Sequence, residues 1–163
     1  MTQLYMPKVV PQKVAKAIRK DAQISPKVAI EIAAFLRGKK LDVAMRSLDR
    51  VLEMKEAIPY RRFTNAIGHR KGPMASGRYP QKASTEFLKI LRNAKANAST
   101  NGLSGDLIIS HVAANRAAEP MRGRAKFRHQ TKRAHIEVFL TEAPAEKKKV
   151  KKEKAAAKPA AQD

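Results

Sequence analysis

The sequence predicts an α+β domain: three helices packed on a small antiparallel sheet, with a long projecting basic β-hairpin. Three observations point to it. Residues 25–38, 41–54 and 81–100 repeat apolar side chains at three-four spacing, the period of a helix with one buried face. Residues 107–109 and 136–140 are short apolar runs that suit paired strands. Between those runs, residues 115–133 carry Arg116, Arg122, Arg124, Lys126, Arg128, Lys132 and Arg133 against one acid, Glu119. Apolar ends that can pair, joined by a basic middle, predict a hairpin over about 107–140 that leaves its own domain. At ~3.3 Å per residue, the stretch from Ala113 to Met121 would extend roughly 30 Å. A lone two-stranded ribbon is marginal in water, so a partner must hold it.

In chain order, residues 1–11 hold two prolines and read as an N-terminal arm. Residues 12–24 admit two readings. Val14 and Ile18 have helical spacing, but Val14, Lys16, Ile18 and Lys20 also share one face of a strand. An edge strand is the expectation. Ser25 then suits a helix N-cap, Pro26 the first helical position and Gly38 the stop. Val28, Ile32, Phe35 and Leu36 form the apolar face of that helix. In the second helix Leu41, Ala44, Met45, Leu48, Val51 and Leu52 keep the spacing through Met54. In the third, Ala83, Phe87, Leu88, Leu91, Ala94 and Ala98 form the stripe, and Asn101-Gly102 ends it.

Between the second and third helices, residues 59–80 break the periodicity. Glycine, proline and base dominate, with Tyr60, Phe63 and Tyr79 interleaved. So long a loop is usually functional or disordered, and the aromatics argue against disorder. Rings among Arg61, Arg62, Arg70, Lys71 and Arg78 suit unpaired bases and phosphates. Phe63 and Tyr79 could equally anchor the loop to the core. Residues 143–163 are lysine and alanine with almost nothing to bury, and are expected to be a disordered tail. The expected organisation is one RNA-binding domain over 12–142, flanked by the arm and the tail.

Thirty-five Lys and Arg against 14 acids give a formal net charge of +21. An excess of that size is expected to be neutralised by a polyanion, nucleic acid before an anionic membrane surface. Cysteine is absent, which excludes disulfides and thiolate chemistry. The first residues lack an apolar signal-peptide core, and no run of 18 apolar residues occurs, so an intracellular soluble protein is expected. His69, His111, His129 and His135 include no pair at i+3 or i+4, and no metal site or cofactor is expected. Asn65-Ala66-Ile67-Gly68 lacks the lysine-serine step of a phosphate-binding loop. Asp49 and Glu53 lie beside Arg46 and Arg50 and read as ion-paired helix surface. No catalytic constellation is visible, and an enzyme is not expected. DNA compaction is disfavoured because no helix carries a basic stripe dense enough to read a groove. Membrane-surface binding is disfavoured because no basic amphipathic helix has a broad aromatic face.

The order of motifs adds a resemblance. Ile24-Ser25-Pro26-Lys27, Leu36-Arg37-Gly38-Lys39-Lys40-Leu41, Ala44 to Leu52 and Ala94-Lys95-Ala96-Asn97-Ala98 come first. Arg122-Gly123-Arg124-Ala125 and Thr131-Lys132-Arg133-Ala134-His135-Ile136-Glu137-Val138 follow. Together they resemble the large-subunit ribosomal protein twenty-two family, which lines the nascent-peptide exit tunnel, over roughly residues 12–142. The 60–80 insert resembles the archaeal and eukaryotic branch, and the archaeal one is preferred. The resemblance implies a globular part on the outer side of the large subunit and a hairpin running inward between segments of large-subunit rRNA. It implies help in assembly, neighbouring large-subunit ribosomal proteins as partners, no membrane partner and no homo-oligomer. The tip, Pro120, Met121, Arg122, Gly123 and Arg124, would reach the tunnel wall and meet the nascent peptide. The expected rRNA-binding set begins with Lys39 and Lys40 after the Arg-Gly step. It continues through Arg61, Arg62, His69, Arg70, Lys71 and Arg78 of the loop, with Lys82 beside it. It ends on the hairpin with Arg116, Arg122, Arg124, Lys126, Arg128, His129, Lys132 and Arg133. The chain departs from the family in its outgoing strand, residues 115–120, which is less basic than expected, and in Met121.

Overall fold

A computed structural model describes residues 14–103, 105–123 and 129–143, with Arg122 and His129 described by their backbone alone. The expected arm at 1–11, the tail at 144–163, and Arg124, Lys126 and Arg128 lie outside the described residues. The elements are β1 (Ala15–Ala22), α1 (Pro26–Leu36), α2 (Leu41–Leu52), β2 (Ile58–Pro59), β3 (Gly77–Arg78) and α3 (Gln81–Thr100). They are followed by β4 (Leu107–Arg116), β5 (Met121–Arg122), β6 (His129–Gln130) and β7 (Ala134–Glu142). Three helices and a small antiparallel sheet make this an α+β fold, as its period pattern predicts.

The main sheet has the order β1-β7-β4, both pairs antiparallel. β7 is central because its alternate residues Ala134, Ile136, Val138 and Leu140 are all fully buried against the helices. They meet Ile32 and Leu36 of α1, Leu48 and Val51 of α2, and Phe87, Leu91 and Ala94 of α3 in one core. β4 changes parity within its length. Ile109 and Val112 both face this core, and a bulge between Ile109 and His111 absorbs the extra residue.

The edge strand expected over 12–24 is present, but its buried face is the opposite one. Ala15 and Ala17 pair with Leu140 and Val138 and face the core. Val14, Lys16 and Ile18 are only partly covered, and Lys20 is exposed. The reason is the helix above. α3 brings Ala94 and Ala98 to the core, and small side chains on β1 let the two backbones approach. Asn97 Nδ2 donates to the Lys16 carbonyl at 2.8 Å, and Asn101 Nδ2 to the Val14 carbonyl at 3.2 Å.

α1 starts after Ser25, whose carbonyl accepts the Ala29 N–H at 3.0 Å while its side chain makes no cap bond. Gly38 has φ +78°, a left-handed turn that a Cβ would strain. Its N–H donates to the Ile109 carbonyl at 2.9 Å, and Ile109 N–H returns a bond to the Lys39 carbonyl at 3.0 Å. The connector between α1 and α2 is thereby stitched to the start of β4. α2 stops at Leu52, short of the expected Met54, which has φ +58° and an exposed side chain.

The strands at the hairpin root are longer than their apolar runs. β4 and β7 pair from Leu107 opposite Glu142 to Arg116 opposite Ala134. Ala113 and Ala114, expected to lie beyond the domain, pair with Glu137 and Ile136 inside the sheet. Past that point Ala117 N–H donates to the Arg133 carbonyl at 3.1 Å, and Thr131 N–H to the Pro120 carbonyl at 2.9 Å. β5 and β6 then pair Met121 with Gln130 and Arg122 with His129.

Candidate nucleic-acid interface

The stretch from 59 to 80 is folded around one carboxylate. Glu31 faces the core side of α1 and is buried. Its Oε1 accepts the N–H groups of Arg62 and Phe63, each at 2.8 Å, and its Oε2 accepts that of Arg61 at 3.2 Å. Three backbone donors satisfy a charge that burial would otherwise make costly. The loop closes further on: β2 pairs with β3, His69 bridges Ser76, and Tyr60 N–H donates to the Ser76 carbonyl at 2.9 Å. Gly77 is enclosed there. A Cβ on it would lie 2.9 Å from Met74 Sδ and 3.3 Å from both Ala57 Cβ and Arg70 Cγ.

Because the backbone amides carry the anchoring, the Arg61 and Arg62 side chains are left at the surface. The Arg62 guanidinium and Lys27 Nζ each lie 5.6 Å from the centre of the Phe63 ring. The Arg70 guanidinium lies 5.3 Å from the Tyr79 ring. Phe63 and Tyr79 are half-covered, with cations over them, while Tyr60 is the ring that anchors the loop. Burial raises the Tyr60 hydroxyl pKa against the pull of Arg78, and that hydroxyl has no hydrogen-bond partner among the described residues.

The other expected binding residues are placed unevenly. Lys39 Nζ sits 3.2 Å from the centre of the Phe35 ring, and burial lowers its pKa. Lys40 Nζ contacts Asp106 at 2.9 Å, and this hydrogen bond holds the Asp106 carboxyl below its usual range. His69 Nδ1 lies 3.1 Å from the Ala75 carbonyl. Arg78 donates to the Ala66 carbonyl at 3.3 Å. Lys71 is exposed, and so is Lys82 in the first turn of α3. Arg116 is held by Glu119 through two bonds, Nε to Oε1 at 3.0 Å and Nη2 to Oε2 at 2.7 Å. Lys132 is exposed, and Arg133 is half-buried with its Nε unpartnered among the described residues. At the expected tip, the Pro120 carbonyl is used in pairing, Met121 is exposed and Gly123 turns with φ +100°.

Phe63 joins the loop to the hairpin. It lines a cleft of about 250 Å³ with Lys27, Tyr60, Arg62, Ile67 and Arg78. It also lines a cleft of about 500 Å³ with Lys27, Arg116, Glu119, Gln130 and Lys132. Groups some seventy residues apart in sequence thus converge on one ring. Of the acids, Glu31 holds the loop and Glu119 borders the larger cleft, while Glu86 pairs with Arg19 and Lys89, Asp42 with Lys95, and Glu56 with Arg50. Residues 59–80 hold five Lys or Arg and no acid.

Two important groups escaped the sequence reading. Glu31 had a visible signal, an acid inside Val28-Ala29-Ile30-Glu31-Ile32 at i+3 from Val28 and i−4 from Phe35 on the apolar face. Lys27 had none, because its place over Phe63 depends on how the loop folds back.

Known proteins resemble this chain over most of its length. The family profile described as Ribosomal protein L22p/L17e matches residues 17–141. The large ribosomal subunit protein uL22 of Methanococcoides burtonii is 39% identical over 134 residues, covering 78% of this chain and 89% of the relative. That of Ignicoccus hospitalis is 42% identical over 146 residues, covering 81% and 90%. That of Methanocaldococcus jannaschii is 40% identical over 147 residues, covering 85% and 94%. A match over most of the length, with the acid-free loop and the basic paired strands inside it, establishes that the chain belongs to the ribosomal protein L22p/L17e family.

Proposed function

We propose that this protein is a structural, non-catalytic constituent of the large ribosomal subunit that binds large-subunit rRNA and supports its assembly. The observation that carries the reading is the convergence of the acid-free loop and the hairpin base on Phe63. Phosphates neutralise such a surface, and half-covered rings offer stacking to unpaired bases. Arg61, Arg62, Arg70, Lys71 and Arg78 form the loop half of the rRNA surface, and Lys132 and Arg133 the hairpin half. Residues 12–142 act as one RNA-binding unit, and the lysine-rich tail adds sequence-independent attraction. The hairpin helps line the exit tunnel, with Pro120 to Arg124 meeting the nascent peptide, among neighbouring ribosomal proteins and without self-association.

Sedimentation of cell lysate through a salt series tests this. The protein is expected with large subunits, resistant to moderate salt and released by ribonuclease. Migration with bulk DNA, or as free protein at low salt, would overturn the reading.

A further inference from the structure

The cleft of about 250 Å³ beside Phe63 has three features that a general phosphate-binding surface does not require. It is smaller than the ~300–1,000 Å³ sites that hold drug-sized ligands. It is lined by the cations Lys27, Arg62 and Arg78, with no carboxylate among its lining residues. It is also lined by Tyr60, which is 6% exposed and whose hydroxyl is buried without a partner among the described residues. A buried hydroxyl left unsatisfied costs free energy, and a phenol can both donate and accept. Phe63 and Ile67 add apolar wall.

We infer that this cleft receives a single extruded base of the rRNA, stacked against Phe63 and hydrogen-bonded to the Tyr60 hydroxyl, with its phosphate among Lys27, Arg62 and Arg78. The inference rests on the proposed rRNA-binding reading and makes it specific. A bare phosphate would satisfy the cations but leave Phe63, Ile67 and the hydroxyl uncovered. An apolar side chain would cover the wall but leave the three lining cations without an anion. A nucleotide meets all three demands, because a base has a flat face for stacking and polar edges for the hydroxyl. Lys27 and Arg62 each lie 5.6 Å from the centre of the Phe63 ring, so both charges border the proposed base and its phosphate. The strand leaves over the neighbouring cleft of about 500 Å³, which Phe63 and Lys132 also line.

The test uses purified large subunits that carry this protein. Ultraviolet cross-linking at zero length, read by mass spectrometry, is expected to give a one-nucleotide adduct on Tyr60 or Phe63. Chemical probing of the rRNA in subunits bearing Phe63→Leu is expected to show one nucleotide roughly fivefold or more reactive, the lower end of what one stacked base contributes. Tyr60→Phe, which keeps the ring and so the anchor of the loop, is expected to raise the same nucleotide's reactivity by less. If the protein is present in the subunits but neither ring is cross-linked and no nucleotide responds, the extruded-base site is wrong while rRNA binding stands. A cross-link from Phe63 to another protein overturns it too. Absence of the protein from large subunits overturns the proposed function and this site together.

Discussion

The Glu31 carboxylate and the Phe63 backbone N–H meet at 2.8 Å across thirty-two residues of chain. A single buried charge on α1 thus sets where the basic loop begins. Glu31→Ala leaves three backbone donors without their acceptor and is expected to cost about 3–5 kcal/mol. Glu31→Gln keeps one acceptor oxygen and should cost about 1–3 kcal/mol. Urea denaturation of both variants checks the order. Equal stability of Glu31→Ala and the parent would show that the loop is held by other means.

Gly77 is closed in by Met74, Ala57 and Arg70, whereas a Cβ on Gly68 would meet nothing within 4 Å. Neither has the positive φ that would itself demand glycine, so the comparison isolates packing. Gly77→Ala is expected to destabilise by about 1–3 kcal/mol, and Gly68→Ala to lie within about 0.5 kcal/mol of the parent. Thermal unfolding of the two variants is the measurement.

The bidentate Arg116–Glu119 pair takes one hairpin cation out of play. Hydrogen bonding to Arg116 holds the Glu119 carboxyl below its ordinary range, so it stays ionised at neutral pH. Glu119→Gln should free the guanidinium for phosphate. Affinity for an rRNA fragment should rise, and the slope of log K against log salt should steepen by about one unit. Arg62→Ala should flatten the same slope by about one unit. A filter-binding salt titration distinguishes the three proteins.

His111 stacks on Phe139 with ring centres 5.5 Å apart and its Nε2 buried. Burial first, then the Arg37 charge, lowers its pKa from the ordinary 6.5, with Glu137 opposing. The folded protein therefore takes up this proton at lower pH than the unfolded chain. Between those two values the unfolded state binds more protons, so acidification costs stability. The contribution is fully present above about pH 6.5 and declines below it. His111→Gln should flatten the dependence of the denaturation midpoint on pH between 6.5 and 5. An unchanged profile would remove His111 from the account.

Replacing residues 118–130 with a two-residue Asn-Gly turn should leave the core folded. Ala113 to Arg116 belong to the main sheet, but beyond Ala117 the hydrogen bonds of the described residues stay within the hairpin, between its two strands and from Arg116 to Glu119. Circular dichroism should retain a cooperative transition, while incorporation into large subunits should fall. Loss of the transition would mean that the hairpin supports the domain.

The helices were legible because each follows one period. α3 runs over the residues its apolar stripe marks, from Gln81 to Thr100. The strands were harder. β4 and β7 continue past their apolar runs through alanines, half-covered Ala113 and Ala114 and buried Ala134, that a sheet partner shelters. On β1 the core face could not be read from side-chain size, since Ala15 and Ala17 are placed there by the closeness of α3 and not by hydrophobicity. In the site, the basic residues of the loop could be read from composition. Their arrangement could not, because it depends on Glu31 capturing three amides and on Phe63 meeting the hairpin base. Arg116 shows the limit most directly: its charge was visible, but its two bonds to Glu119 were not.

Both flanks of the main sheet are partly capped from within the chain. Asn97 occupies the Lys16 carbonyl of β1 and Asn101 that of Val14 just before it, while the Gly38–Lys39 connector and the Arg37 guanidinium occupy backbone groups of Ile109 and Val112 in β4. An open strand edge invites pairing with another copy, and a covered one does not. A chain made in excess of its RNA would therefore offer its neighbours a weaker template for strand addition. Its surplus should remain dispersed and available to a growing particle, and substitution of Asn97 and Asn101 by alanine should turn the same surplus toward fibrous precipitation.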